Sequence, residues 1–84
     1  MYRVKVPEPV EQQIAALPAT ALAEFAEAMV ALEVAPWGGA PYDRKFPDSN
    51  IRMLPFGPRS EGLLVYLIVE HAREVGIIEL LWVG

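Results

Sequence analysis

Tyr2, Val4 and Val6 alternate with Arg3 and Lys5 near the start of the chain, the period of two of a strand with one buried face. Pro7 and Pro9 stop that strand, since neither can donate to a ladder hydrogen bond. Pro9 then suits the first turn of a helix, where its missing N–H is not needed. Val10, Ile14 and Leu17 follow at spacings of four and three, with Glu11, Gln12 and Gln13 between them, which predicts a short amphipathic helix. The Leu17-Pro18 step ends it, because the residue before a proline is pushed out of the α region. A second helix is predicted from Ala19 or Thr20 to about Glu33. Its expected stripe is Leu22, Phe25, Met29 and Leu32, with Glu24 and Glu27 turned away and alanines favouring the helix. So short a break implies an antiparallel helical hairpin.

Ala35 to Asp43 (Ala-Pro-Trp-Gly-Gly-Ala-Pro-Tyr-Asp) is dense in turn formers. With the residues up to Asn50 it predicts a loop of about fifteen residues, a length that in compact domains usually signals function or mobility. Three strands then follow. Ile51 to Phe56, stopped by Pro55, Gly57 and Pro58, reads as an edge strand. Gly62 to Glu70 is almost wholly apolar, as expected of a central strand covered on both faces. After the short link His71-Ala72-Arg73, Glu74 to Val83 is again apolar, interrupted by Gly76 and Glu79. Short links favour an antiparallel meander. The expectation is a single α+β domain over residues 1–84, β-α-α-β-β-β, with the helical hairpin packed on one face of a mainly antiparallel four-stranded sheet.

Composition changes the picture in two ways. Hydrophobic residues make up 54% of the 84 residues, high for so small a domain, so part of that surface is expected to be covered by a partner or a second copy. The net charge is −4, which opposes broad attraction to nucleic acid. The charge is uneven, however. Up to Tyr42, Arg3 and Lys5 face five glutamates, whereas Arg44, Lys45, Arg52 and Arg59 outnumber Asp43 and Asp48 in the next segment. Any anion site is expected there.

Cysteine is absent, which excludes disulfides and thiolate metal sites and fits a reducing cytoplasm. The start lacks signal-peptide features, and the longest apolar run, Leu63 to Val69, is far short of the roughly 18–20 residues of a membrane span. A soluble, cytoplasmic protein without membrane contact is expected. One histidine and no cysteine make no metal constellation. Gly38-Gly39 lacks the context of a phosphate loop, and Ser49 and Ser60 have no recognisable base arrangement. No cofactor is expected.

The opening strand Tyr2–Val6, the Leu17-Pro18 junction, the Leu32…Pro36-Trp37 exit from the second helix, and Arg52-Met53-Leu54 followed by Gly62-Leu63-Leu64-Val65-Tyr66 together resemble the RelE/ParE family of bacterial toxins. The resemblance covers essentially the whole chain. It implies the toxin component of a type II toxin–antitoxin (plasmid stabilisation) system, binding a cellular target, ribosome or DNA gyrase, and neutralised by a cognate antitoxin. Ribosome-dependent members are metal-independent mRNA endoribonucleases, whose chemistry needs cations about the scissile phosphate and an acid or base near it. The family places an arginine early in the long strand before its tyrosine, where this sequence has Leu63. Many members carry basic, histidine or tyrosine residues after the last strand, where this sequence reads Trp82-Val83-Gly84. These departures rank inhibition through protein binding above mRNA cleavage. A non-toxic, degenerate interaction module on the same fold, forming a homodimer or binding a peptide, is the alternative.

Candidate residues carry two readings each. Arg52 matches the family's arginine and is expected to share a strand face with Leu54 and Phe56, binding phosphate on the open face of the sheet or pairing with Glu79. Arg44, Lys45 and Arg59 offer a target- or phosphate-binding patch, or are solvated loop charges. His71, the one side chain titrating near neutrality, is a catalytic candidate with Arg52 and Arg73, or an incidental turn residue. Trp37 and Tyr42 either stack on bases or close the core beneath a loop.

Overall fold

The computed structural model describes residues 1–84. Strand β1 is Arg3–Lys5, helix α1 Glu8–Ala15, helix α2 Ala19–Val34, and strands β2 to β5 are Ala40–Pro41, Ile51–Phe56, Gly62–Val69 and Glu74–Trp82. The two helices form the expected hairpin. Pro7 and Pro18 stand immediately before them in extended backbone, and Pro9 lies in the first turn of α1. No helix is long and apolar enough to cross a membrane.

The sheet order is β1-β5-β4-β3-β2. The last three long strands form the expected antiparallel meander, and β1 lies parallel to β5. One difference is the fifth strand. Ala40 and Pro41, inside the predicted loop, pair with Met53 and Arg52, so Ile51–Phe56 is an edge only over its second half. A two-residue strand carries no periodicity of its own, which is why the pattern reads it as loop.

The backbone of Ile51 faces β2, accepting from Tyr42 N–H at 3.0 Å, so alternation turns Met53 and Pro55 to the same outer side. Pro55 therefore occupies the position beyond β2 where an outward N–H would otherwise stand. That edge cannot template a full ladder.

The core lies between the helices and one face of the sheet. Leu64, Tyr66 and Ile68 of β4 and Val75, Ile77 and Leu80 of β5 are buried there with Tyr2, Val10, Leu17, Phe25 and Leu32. Phe25 of α2 meets Phe56 edge-on at 5.6 Å, and Phe56 leans on Trp82 at 5.9 Å. Each such buried aromatic contributes about 1.5–3 kcal/mol by burial alone. Gly62 is buried opposite Phe56, and a Cβ there would enter the Phe56 ring.

The stripe of α2 also differs from expectation. Its buried residues are Ala21, Phe25, Ala28 and Leu32, Met29 is half-buried and Leu22 is 45% exposed. Small alanines let the helix approach the sheet on their side, which turns Leu22 outward. A β-bulge shifts the register between Val65 and Tyr66, so that Ile77 pairs Tyr66 while Glu79 pairs Val65. The extra residue, Ile78, changes the phase of β5: Ile77 and Leu80 enter the core and Glu79 leaves it.

Candidate functional site

The second face of the sheet has no layer packed on it. Both helices lie on the other side, so the expectation that Gly62–Val69 is covered on both faces fails. By alternation from the register, this open face presents Ile51 and Met53 of β3, Leu63, Val65 and Leu67 of β4, and Leu81 of β5. Val65 is buried among its neighbours, Leu63 and Leu67 are half-exposed, and Leu81 is exposed. An apolar face with this continuity is unusual for an isolated domain.

Its charges lie at the margin. Arg3 and Lys5 both pair with Glu74, at 3.3 and 3.0 Å, and the Lys5 hydrogen bond holds the Glu74 carboxyl below its ordinary range. Glu79 stands exposed on the same face with no ion pair. The open face thus offers no unpaired cation.

Arg52 shares a face with Leu54 and Phe56, as expected, but that face is the helix side. It pairs across to Tyr66, its Nε donates to Gly39 O at 2.9 Å, and one terminal nitrogen donates to Ser49 O at 2.9 Å and Pro47 O at 3.2 Å. The guanidinium lies 5.4 Å from the Trp37 ring centre. Neither expected role survives this placement. Glu79 is on the opposite face because of the bulge, and the guanidinium is occupied by carbonyls rather than directed at the open face.

Tyr66 fixes the other end of the same loop, donating its hydroxyl to Pro36 O at 2.6 Å. Burial pushes its phenol up from the ordinary tyrosine value. Gly39 passes so close that a Cβ there would strike the Tyr66 hydroxyl and Met53 O. The segment from Pro36 to Asn50 is therefore pinned rather than free. It holds Tyr42 and Phe46 outward, 59% and 63% exposed, so Tyr42 does not close the core. Arg44 and Lys45 are exposed there without an ion pair.

The other candidates fall at two ends of the sheet. Arg59 is exposed in the β3–β4 turn, at the far end of β3 from Arg44 and Lys45, about 17 Å away at ~3.3 Å per strand residue. His71 is exposed in the 3-10 turn Glu70–Ala72. Arg73 has φ 53° and turns inward on Tyr2, donating to its hydroxyl at 2.9 Å and to Glu70 Oε2 at 3.2 Å. Arg59 is thus remote, whereas Arg52 and Arg73 reach one corner through Trp37 and Glu70, with both guanidinium groups already engaged there.

Glu70 is the residue the pattern missed. Its Oε1 accepts from Tyr2 at 2.6 Å and from the Trp37 indole at 2.7 Å. These two bonds hold its carboxyl below the ordinary range, and together with Arg73 they tie the chain start, the exit of α2 and the β4–β5 turn into one corner. Trp37 spends its N–H on this corner.

With this geometry in place, the solved structures supply one informative match. The whole chain superposes on the crystal structure of the isolated E. coli RelE toxin, in its P21 form, with a TM-score of 0.76 and 15% sequence identity, covering 100% of this chain and 86% of that one. The fold is RelE-like. No family model matches the sequence, and no curated protein matches it by sequence. The likeness to RelE thus lives in the order and packing of elements. At 15% identity it extends to the scaffold and not to the side chains displayed on it.

Proposed function

We propose that this protein is the toxin component of a toxin–antitoxin pair, inhibiting growth by binding a protein target and neutralised by an antitoxin that covers the same surface. One observation carries this reading: on a RelE-like scaffold, the open face of the sheet is apolar and has no unpaired cation. Cleaving RNA requires charge stabilisation at the scissile phosphate, whereas Ile51, Met53, Leu63 and Leu67 suit a desolvated protein contact. The separation of Arg59 from Arg44, Lys45, His71 and Arg73 weighs against the endoribonuclease alternative.

Expression of the chain alone in bacteria tests the proposal. Growth arrest is expected, with cellular mRNA left intact, and Leu67→Glu on the open face is expected to relieve it while the protein stays soluble and folded. Unimpaired growth at confirmed soluble expression overturns toxicity and leaves the non-toxic interaction module. Arrest accompanied by mRNA cleavage overturns the protein-binding mechanism.

A further inference from the structure

Gly76 stands in the interior of β5, where a glycine weakens the strand because it packs no side chain and loses more backbone freedom than other residues. The fold supplies no reason for it. Gly57 is the only glycine in the left-handed region, so the backbone at Gly76 makes no demand that another residue could not meet. The bulge falls further along β5, at Ile78. A Cβ built on Gly76 meets nothing within 4 Å, so no neighbour requires its absence. Of the usual reasons for a strand glycine, close approach from outside the chain is the one left.

Gly76 pairs with Leu67 on one side and Lys5 on the other, and directly paired residues share a face. The three therefore form one row across the open face, with a shallow gap in the row at Gly76. Along β5 the gap lies between Glu74 and the exposed bulge residues Ile78 and Glu79. An aromatic ring, flat and broad, covers such a gap and restores the packing that a sheet glycine forfeits.

Charge decides whose ring it is. Glu79 is exposed on this face without an ion pair, and Arg3 and Lys5 are both held by Glu74. A second copy stacked face to face would bring another Glu79 and no free cation on the same face, burying carboxylates that nothing neutralises. The net charge of −4 opposes that stacking further. A different chain that carries a cation beside the ring suits both features. Gly76 and Glu79 pair with Leu67 and Val65, two positions apart on β4, which spaces ring and cation by about 7 Å.

We infer that the gap at Gly76 receives an aromatic side chain of a partner protein, with a lysine or arginine of the same segment set against Glu79. The inference rests on the open face being a protein-binding surface, as proposed above, and names what occupies it.

The test uses the full chain labelled with nitrogen-15 and carbon-13, and the capped pentapeptide Ala-Phe-Ala-Arg-Ala, whose extended form matches that spacing. Ring currents are expected to move the Gly76 α protons upfield and to shift the Leu67 amide. Alanine in place of the peptide's phenylalanine is expected to weaken binding about fivefold, and citrulline in place of its arginine about threefold, the size of one exposed ion pair. Gly76→Val fills the gap with a residue suited to strands. It is expected to weaken binding as much as loss of the ring does, while the urea midpoint stays level or rises. Gly76→Ala is the second variant should valine disturb the folded spectrum. Shifts elsewhere on the open face with Gly76 unmoved, or unchanged affinity in the variants, overturn the inference and leave the open face standing as a binding surface. Absence of any shift, equal binding of the altered peptides, or a lower midpoint in both variants also overturns it, the last by showing that the fold itself needs the glycine. Concentration-dependent shifts at Gly76 without peptide overturn it by assigning the gap to a second copy. Binding is read on the purified chain, so failure here is distinct from failure of toxicity, which the growth assay decides.

Discussion

Arg52 is a cation whose partners are all backbone carbonyls. Three oxygens from Gly39, Pro47 and Ser49 and the face of Trp37 surround one guanidinium, a geometry that depends on its planar fork of donors. Arg52→Ala is expected to destabilise the fold by about 2 kcal/mol, the scale of losing charge-assisted hydrogen bonds, read as a lower urea midpoint with little change in slope. Arg52→Lys is expected to recover less than half of that loss, since an ammonium cannot span the same acceptors. The Glu70 corner makes a pH prediction. Glu70 and Glu74 have folded pKa values below their unfolded ones, so their stabilisation is complete above the usual carboxylate value, roughly 4.3, and is lost as pH falls through the folded values. The melting temperature is expected to drop between pH 6 and pH 3, and to drop less in Glu70→Gln. An equal drop in the variant would show that the corner does not contribute. This corner was not legible beforehand, because Tyr2 and Glu70 lie 68 positions apart and nothing local marks one as the other's partner.

Among the elements, the helices were legible from apolar positions repeating over about two turns or more, and the three long strands from apolar runs bounded by proline, glycine and short polar links. What escaped was phase. Val75 and Ile77 on one side of Ile78, and Leu80 and Trp82 on the other, break strict alternation, and that break is the sequence trace of the bulge. Unread, it left Glu79 on the wrong face and suggested a pairing with Arg52. The stripe of α2 drifted for a related reason: a helix rich in alanine has too weak an amphipathic contrast to fix its rotation. Pro55 makes the element-scale prediction. Pro55→Val is expected to restore an outward N–H on the uncovered half of β3 and to cause concentration-dependent association by sedimentation, with little change in monomer stability. A variant that remains monomeric at high concentration would show that the proline is not what protects this edge.

At the scale of the molecule, the excess of apolar residues was readable from composition, but its location was not. The pattern of Gly62–Val69 suits burial on both faces equally well, and only the placement of both helices on one side reveals that the second face is bare. The candidate cations were likewise visible as residues and misleading as a group, since adjacency along the chain separated into opposite ends of β3. What the RelE-like scaffold retains is thus an arrangement of layers, on which this sequence displays an apolar sheet face and a pinned loop.

That loop has a bearing on how the protein changes over generations. Arg52 and Tyr66 grip it through carbonyl oxygens, which every amino acid carries. Replacement of Tyr42, Arg44, Lys45 or Phe46 therefore leaves the grip intact and the course of the backbone unaltered. Such a segment can explore new side chains without putting the fold at risk, so lineages sharing this scaffold are expected to diverge in recognition at Tyr42–Phe46 sooner than at Arg52, Tyr66 or Gly39.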